Sequence, residues 1–404
     1  MQAYLNKISF WILLLLPISL LFGIDFNVKV IVLFALFLFL DYRNFFIAFK
    51  NSFSNKWVLF FISLFMIQLV GLLHSSNINY TLHYFETKVS IIIFPILIYI
   101  FFNKYRIDVE RFVKMYAYGV FIISSIIIGY LVLKNGGYDQ SFLAKNVPNH
   151  HIYFGMYLSF AAIVFWYYLF KAKVKIVFKA LYYFLPLLFS ILILLAVGSR
   201  TAFIALITGV IISTVILLKS NKLKQNRQIL LFLLFLFAIV MVVVFTNEEI
   251  TDRLSRLFNE SRKNSPLLKR MVQWECGLKI FKENFLFGVG TGDVQEYLNM
   301  CYRENKFRGY RYKLNTHNQY LDEGIKNGIL GLLTILSLYF YMLYYSIKCK
   351  KHVYSYFLIT IIIVSFAENI LSRQAGVVFY SFFNSLLFFG YRLNEEFNEK
   401  SLNT

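Results

Sequence analysis

The chain has 404 residues, of which 59% are hydrophobic and only 15% charged, and its formal net charge is +20. A soluble globular domain carries about a quarter charged residues, so a soluble fold is excluded; the aromatics lie inside apolar runs rather than among the basic residues, which excludes a nucleic-acid surface as well. Three cysteines, Cys276, Cys301 and Cys349, form no metal-ligand spacing; Cys276 and Cys301 fall in one loop and can pair if it is extracytoplasmic, but the odd total points to free thiols.

In chain order, the first apolar run at 8–24 follows Lys7 and resembles a signal peptide, but no small-residue cleavage site follows it, so it is read as the first span. Further runs lie near 28–41, 57–73, 89–102, 113–133, 152–170, 177–197, 201–218 and 229–246, then near 328–347, 353–370 and 376–391. Runs such as 201–218 are apolar all round, unlike one face of a surface helix. About 20 such residues cross a bilayer core as a helix, whose backbone hydrogen bonds close within the segment. Short alternating segments of a barrel are missing from the sequence. The expectation is an all-α, polytopic membrane protein with about twelve transmembrane helices.

Charge orients the spans. With the N-terminus inside, the inside loops hold 21 basic residues and the short outside loops only six. Both termini are therefore expected in the cytoplasm of a bacterial inner membrane protein. Residues 1–246 would hold spans one to nine, 247–327 a large periplasmic helical loop, and 328–404 the last three spans and a cytoplasmic tail. The loop carries fourteen basic residues, yet long loops translocate regardless of charge. Inside it, Met271, Trp274, Leu278, Phe281 and Phe285 recur at helical spacing and predict an amphipathic helix. Gly288-Val289-Gly290-Thr291-Gly292 ends it in a turn. A short helix follows near 293–302, and a third from around Thr316 to Gly328.

This topology gathers the unusual polar residues outside, although each has an ordinary explanation. Arg200, in the Gly198-Ser199-Arg200-Thr201 turn, either snorkels to headgroups or offers its planar fork to a phosphate. Arg270 alone reads as solvated surface. His317 stands in Asn315-Thr316-His317-Asn318-Gln319-Tyr320-Leu321; Asn315 or Thr316 as N-cap would put it in the first helical turn, where the positive helix end favours a neutral ring able to act as a base. Glu368, near the outer end of the eleventh span, is either a structural partner of an arginine or a site carboxylate. Asn149 and His150 lie at the entry to the sixth span. Together these residues suit a lipid-linked diphosphate donor and a hydroxyl acceptor, with arginines holding the leaving diphosphate and histidine taking a proton. A transporter or flippase, the rival of another class, predicts polar residues near the midplane and an internal repeat.

The chain resembles the O-antigen ligase and polymerase superfamily. Gly198-Ser199-Arg200-Thr201, Arg270-Met271-Val272-Gln273-Trp274 running to Gly288-Val289-Gly290, and Thr316-His317-Asn318-Gln319-Tyr320-Leu321 with Gly328 and Gly331 carry the likeness, which covers roughly residues 140–380. Asn149-His150 and Glu368 have family counterparts too. The resemblance implies a metal-independent glycosyltransferase without a cofactor, acting on undecaprenyl-diphosphate glycans in lipopolysaccharide biosynthesis. Arg200 and Arg270 would bind the diphosphate and His317 activate the acceptor hydroxyl, with Asn318, Glu368, Asn149, His150 and Tyr320 in support. The nearest member is the ligase, with lipid A-core as acceptor; a polymerase or a protein O-oligosaccharyltransferase shares the donor chemistry. Where relatives often carry Asn-Pro before the glycine turn, this chain has Asn284-Phe285.

Overall fold

A computed structural model describes the backbone of residues 2–219 and 266–402, which is helical throughout, with no strand among the described residues. The ninth apolar run, 229–246, and the basic loop before it lie outside these residues. The first stretch holds α1 (Gln2–Ser19), α2 (Ile24–Phe39), α3 (Tyr42–Ser52), α4 (Lys56–Leu72), α5 (Ile78–Lys88), α6 (Ser90–Lys104), α7 (Val109–Lys134), α8 (Gln140–Asn146), α9 (His151–Lys171), α10 (Ile176–Lys179), α11 (Leu185–Val197) and α12 (Arg200–Lys219). The second holds α13 (Pro266–Glu283), α14 (Val294–Glu304), α15 (Gln319–Leu336), α16 (Met342–Lys348), α17 (His352–Ala367) and α18 (Gln374–Leu402). Asn55, Asp108, Asp139 and Asn318 each accept two backbone N–H bonds at a helix start, satisfying donors that the first turn leaves open.

Among the described residues, five helices are long and apolar enough to cross a membrane: Ile78–Lys104, Val109–Lys134, His151–Lys171, Ile176–Val197 and Gln319–Lys348. The pair α2–α3 makes a sixth if its 108° bend is counted within one span, and four shorter apolar helices accompany them. The sequence reading missed α3, whose Arg43, Asn44, Lys50 and Asn51 interrupt the apolar residues. The centre of the bundle is α9, which is buried from Tyr153 to Phe170 and packs against α7, α11, α12 and α17. Its Phe160 meets Tyr116, Phe357, Phe379 and Phe383 with ring centroids 5.2–6.2 Å apart. An apolar helix without a polar face is stable only where neighbours or lipid cover every side.

A smaller core forms beside the bundle from α13, α14 and the start of α15: Cys276, Ile280, Val289, Leu298, Tyr302 and Ile325. Here two expectations are corrected. The buried face of α13 is Gln273, Cys276, Gly277 and Ile280, whereas Met271, Leu278 and Phe285 of the expected stripe are exposed. That stripe aligned the apolar residues at helical spacing, but α13 docks by its small residues: Gly277 lies against Thr316 and Leu321. The second correction concerns the thiols: Cys276 and Cys301 form a disulfide with Cα atoms 5.8 Å apart, joining α13 to α14, and only Cys349 is free. Both half-cystines are buried in the same small core, a proximity that the count of cysteines does not encode.

The glycine-rich turn seals a break in α15. Asn327 and Gly328 leave helical geometry, so the carbonyls of Ile325 and Lys326 lose their partners within the helix. Val289 and Gly290 donate to those carbonyls at 2.8 and 3.1 Å, and Ile329 donates to Phe285 O at 2.7 Å. Gly288 has φ of 73°, and a Cβ there would stand 2.5 Å from the backbone carbonyl of Lys326. Left-handed geometry costs an L-residue about 1–2 kcal/mol, and overpacking against backbone about 1–3 kcal/mol more. Gly288→Ala is therefore expected to lower the stability of the detergent-solubilised protein by roughly 2–5 kcal/mol, read as a drop in melting temperature. An unchanged melting temperature would show that the turn is not pinned to α15.

Candidate active site

Four helix starts surround one cavity of ≈ 280 Å³: Ile152 and Tyr153 of α9, Val294 and Gln295 of α14, Asn315 and His317 ahead of α15, and Ser372 and Arg373 ahead of α18 line it. Each helix N-terminus carries about half a positive charge, so their convergence favours an anion. Lys313, Lys326, Tyr80, Tyr84, Asp322 and Glu368 complete the polar wall.

Within this wall Glu368 joins two of the expected site residues. One oxygen accepts from Arg270 Nη2 at 2.8 Å, and the other lies 2.7 Å from His317 Nδ1. The carboxylate is mostly buried, while His317 and Arg270 each keep about a third of their side-chain surface open. A carboxylate held by an arginine is an acceptor, so in the neutral ring Nδ1 carries the proton and Nε2 is the nitrogen with a lone pair. That is the geometry of a base oriented by a third group. Arg270 spends one nitrogen on the pair and retains further donors.

The helix start differs from the expectation. Asn318, not Asn315 or Thr316, caps α15, accepting from Tyr320 N and Leu321 N at 3.0 and 3.1 Å. His317 therefore stands just before the helix, with φ of 46° and its N–H on Asn315 Oδ1 at 3.0 Å. Asn149 and His150 also have positive φ, 60° and 73°. Such non-glycine backbone costs energy and persists where surrounding contacts over-determine it. Asn149 donates to Leu20 O, which fixes the entry to α9. His150 lines the cavity with its ring centroid 4.2 Å from that of His151. Partial burial, then His151 and Arg373, hold His150 well below the ordinary histidine value, at about 4, so its ring stays neutral where a free histidine would protonate. Tyr320 donates to Ile362 O at 3.0 Å and ties α15 to α17, which makes it a support rather than a cavity residue.

Arg200 is the expected residue that stays apart. It opens α12 with an exposed side chain and is not among the residues lining the cavity. The preceding Ser199 packs on Gly155 of α9, where a Cβ would meet its Oγ at 2.5 Å, so Arg200 stands at the same end of α9 as His150.

The sequence reading missed the floor of the site. Lys88 Nζ donates to Glu323 Oε1 at 2.9 Å with both side chains fully buried. Gln68 and Gln319 also donate to Glu323, at 2.9 and 2.8 Å, and Gln319 Oε1 accepts from Leu371 N at 2.8 Å. One turn further, Lys326 pairs with Asp322 and donates to Tyr84 OH at 2.8 Å. Lys326 and Asp322 belong to the cavity wall, so this buried charge cluster reaches the cavity. The available signal was Lys88, Asp322, Glu323 and Lys326 beside strongly apolar runs.

A curated relative from Haemophilus influenzae, described as an uncharacterized protein, is 22% identical over 181 residues, covering 42% of this chain and 44% of its own length. The chain thus spans less than half of that relative. Residues 185–336 match the family model described as O-Antigen ligase, a stretch that holds Arg200, Arg270 and His317. That stretch of the chain is thus similar to the O-antigen ligase family.

Proposed function

We propose that the protein transfers a glycan from undecaprenyl diphosphate to a hydroxyl of lipid A-core on the periplasmic face of the inner membrane. The observation that carries this reading is Glu368 bridging Arg270 and His317 at the wall of a cavity ringed by helix starts. The acceptor oxygen attacks the anomeric carbon and gives its proton to His317 Nε2 as the bond to the diphosphate oxygen breaks. The departing diphosphate carries away the electron pair, and Arg270 and the helix ends stabilise its charge. Arg200 is kept in the proposal as a second diphosphate ligand, as the resemblance implies, from its place beside the cavity at the same end of α9. No metal enters this scheme.

The proposed membrane topology has about twelve spans, both termini in the cytoplasm and residues 247–327 in the periplasm. Basic residues concentrated in the inside loops support it. The Cys276–Cys301 disulfide supports it too, since such bonds persist in oxidising compartments.

Deleting the gene and separating polyprenyl-linked from lipid A-linked glycans by gel and mass spectrometry tests the reading. Polymerised glycan stranded on the polyprenyl carrier, with bare lipid A-core, is the expected result. Single repeat units attached to core would mean a polymerase of the same superfamily. Unchanged pools would overturn both, and would turn attention to glycoproteins or transport.

A further inference from the structure

The cavity wall carries three basic side chains besides the histidines, Lys313, Lys326 and Arg373; Lys326 is already engaged by Asp322, as Arg270 beside the wall is by Glu368. Lys313 and Arg373 line the cavity with exposed side chains and no carboxylate within ion-pair distance among the described residues. Of these, Arg373 has the more rigid base.

The segment leading to Arg373 is fixed from several sides. Leu371 N donates to Gln319 at 2.8 Å, Thr316 donates to Asn369 at 3.2 Å, and Tyr157 donates to Ala375 O at 3.0 Å. Gly376 packs so tightly on Ile370 that a Cβ there would meet the carbonyl at 1.9 Å. The same segment begins with Glu368. One short connection thus delivers both the carboxylate that orients His317 and, five residues on, an exposed guanidinium at the start of α18. A planar fork on a clamped backbone binds phosphate oxygens with little further loss of freedom.

We infer that Arg373 is an anion ligand of this cavity and binds a phosphate group of the lipid diphosphate. The inference rests on the donor proposed above. The same chemistry would also suit a phospholipid headgroup, so the test has to separate the two.

The protein in detergent micelles would be titrated with undecaprenyl diphosphate, alone and against an equal concentration of phosphatidylglycerol, and binding followed by thermophoresis. Arg373→Gln is expected to weaken binding about tenfold to a hundredfold, the loss of one charge-assisted contact. Arg373→Lys should recover only part of that, because a point charge lacks the fork. Arg303→Gln, whose guanidinium lies over Tyr310 and not in the cavity wall, should bind as wild type. Melting temperatures should match throughout, since the Arg373 side chain is exposed. Wild-type binding by Arg373→Gln would overturn the inference and leave the donor reading standing. Displacement by phosphatidylglycerol at equal concentration would overturn it as a general headgroup contact. A wild-type protein that ignores undecaprenyl diphosphate would overturn the donor reading and this inference together.

Discussion

Replacing His317 by alanine is expected to lower glycan transfer in membranes by about 10²–10⁴-fold at matched expression, the usual worth of a positioned general base. The ring reaches Glu368 through Nδ1 at 2.7 Å, which leaves Nε2 as the atom that accepts a proton. Glu368→Gln should reduce transfer as well, because the amide cannot hold both Arg270 and the Nδ1 proton as an anion does. Release of undecaprenyl diphosphate from a lipid-linked glycan is the measurement. Wild-type release by His317→Ala would remove the base from the mechanism. Since His317 keeps part of its surface open, its truncation should leave the melting temperature close to that of the parent, which separates chemistry from folding.

The largest effect on stability is expected at Lys88. Its ammonium and the Glu323 carboxylate are fully buried, with Gln68 and Gln319 taking up the remaining capacity of the carboxylate. Lys88→Met leaves Glu323 buried without its cation, and breaking such a pair costs about 3–5 kcal/mol. Pairing it with Glu323→Gln should restore much of the loss, because two neutral groups carry no uncompensated charge. Thermal unfolding of the four proteins in one detergent gives the coupling energy. Equal melting temperatures for Lys88→Met and wild type would mean that the charges are relieved by water. Because Gln319 links Glu323 to the backbone of Leu371, Lys88→Met should also impair transfer beyond what its stability loss explains.

Much of this architecture was legible in the sequence. Eleven of the twelve apolar runs fall on described helices, because a long apolar segment must satisfy its backbone internally; five of the described helices, or six with the bent pair, are long and apolar enough to cross a membrane. His317, Arg270 and Glu368 were each singled out, yet nothing in one dimension brings residue 270 against residue 368; that contact depends on α13 docking on α15 and α17, where Trp274 meets Phe366 at 5.4 Å. Hydrophobic spacing chose the wrong face of α13, since its packing surface is defined by Gly277 and Cys276 rather than by its large side chains. Lys88 and Glu323 escaped notice because charges at the ends of apolar runs ordinarily snorkel outward, and here each turns inward to the other. Arg373 was counted as loop charge, its place on the cavity wall fixed by Gln319 fifty-four residues earlier.

The Cys276–Cys301 bond ties the helix that carries Arg270 to the helix that walls the cavity with Val294, Gln295 and Leu298. A newly made chain holds two thiols there, and they close only in an oxidising compartment. On the topology proposed above, the cavity acquires a schedule: insertion into the bilayer comes first, thiol oxidation second, and a fully tethered site last. Under that proposal, cells that cannot oxidise exported thiols would carry a correctly inserted but loosely assembled protein, and their glycan transfer would report on thiol oxidation as well as on sugar supply.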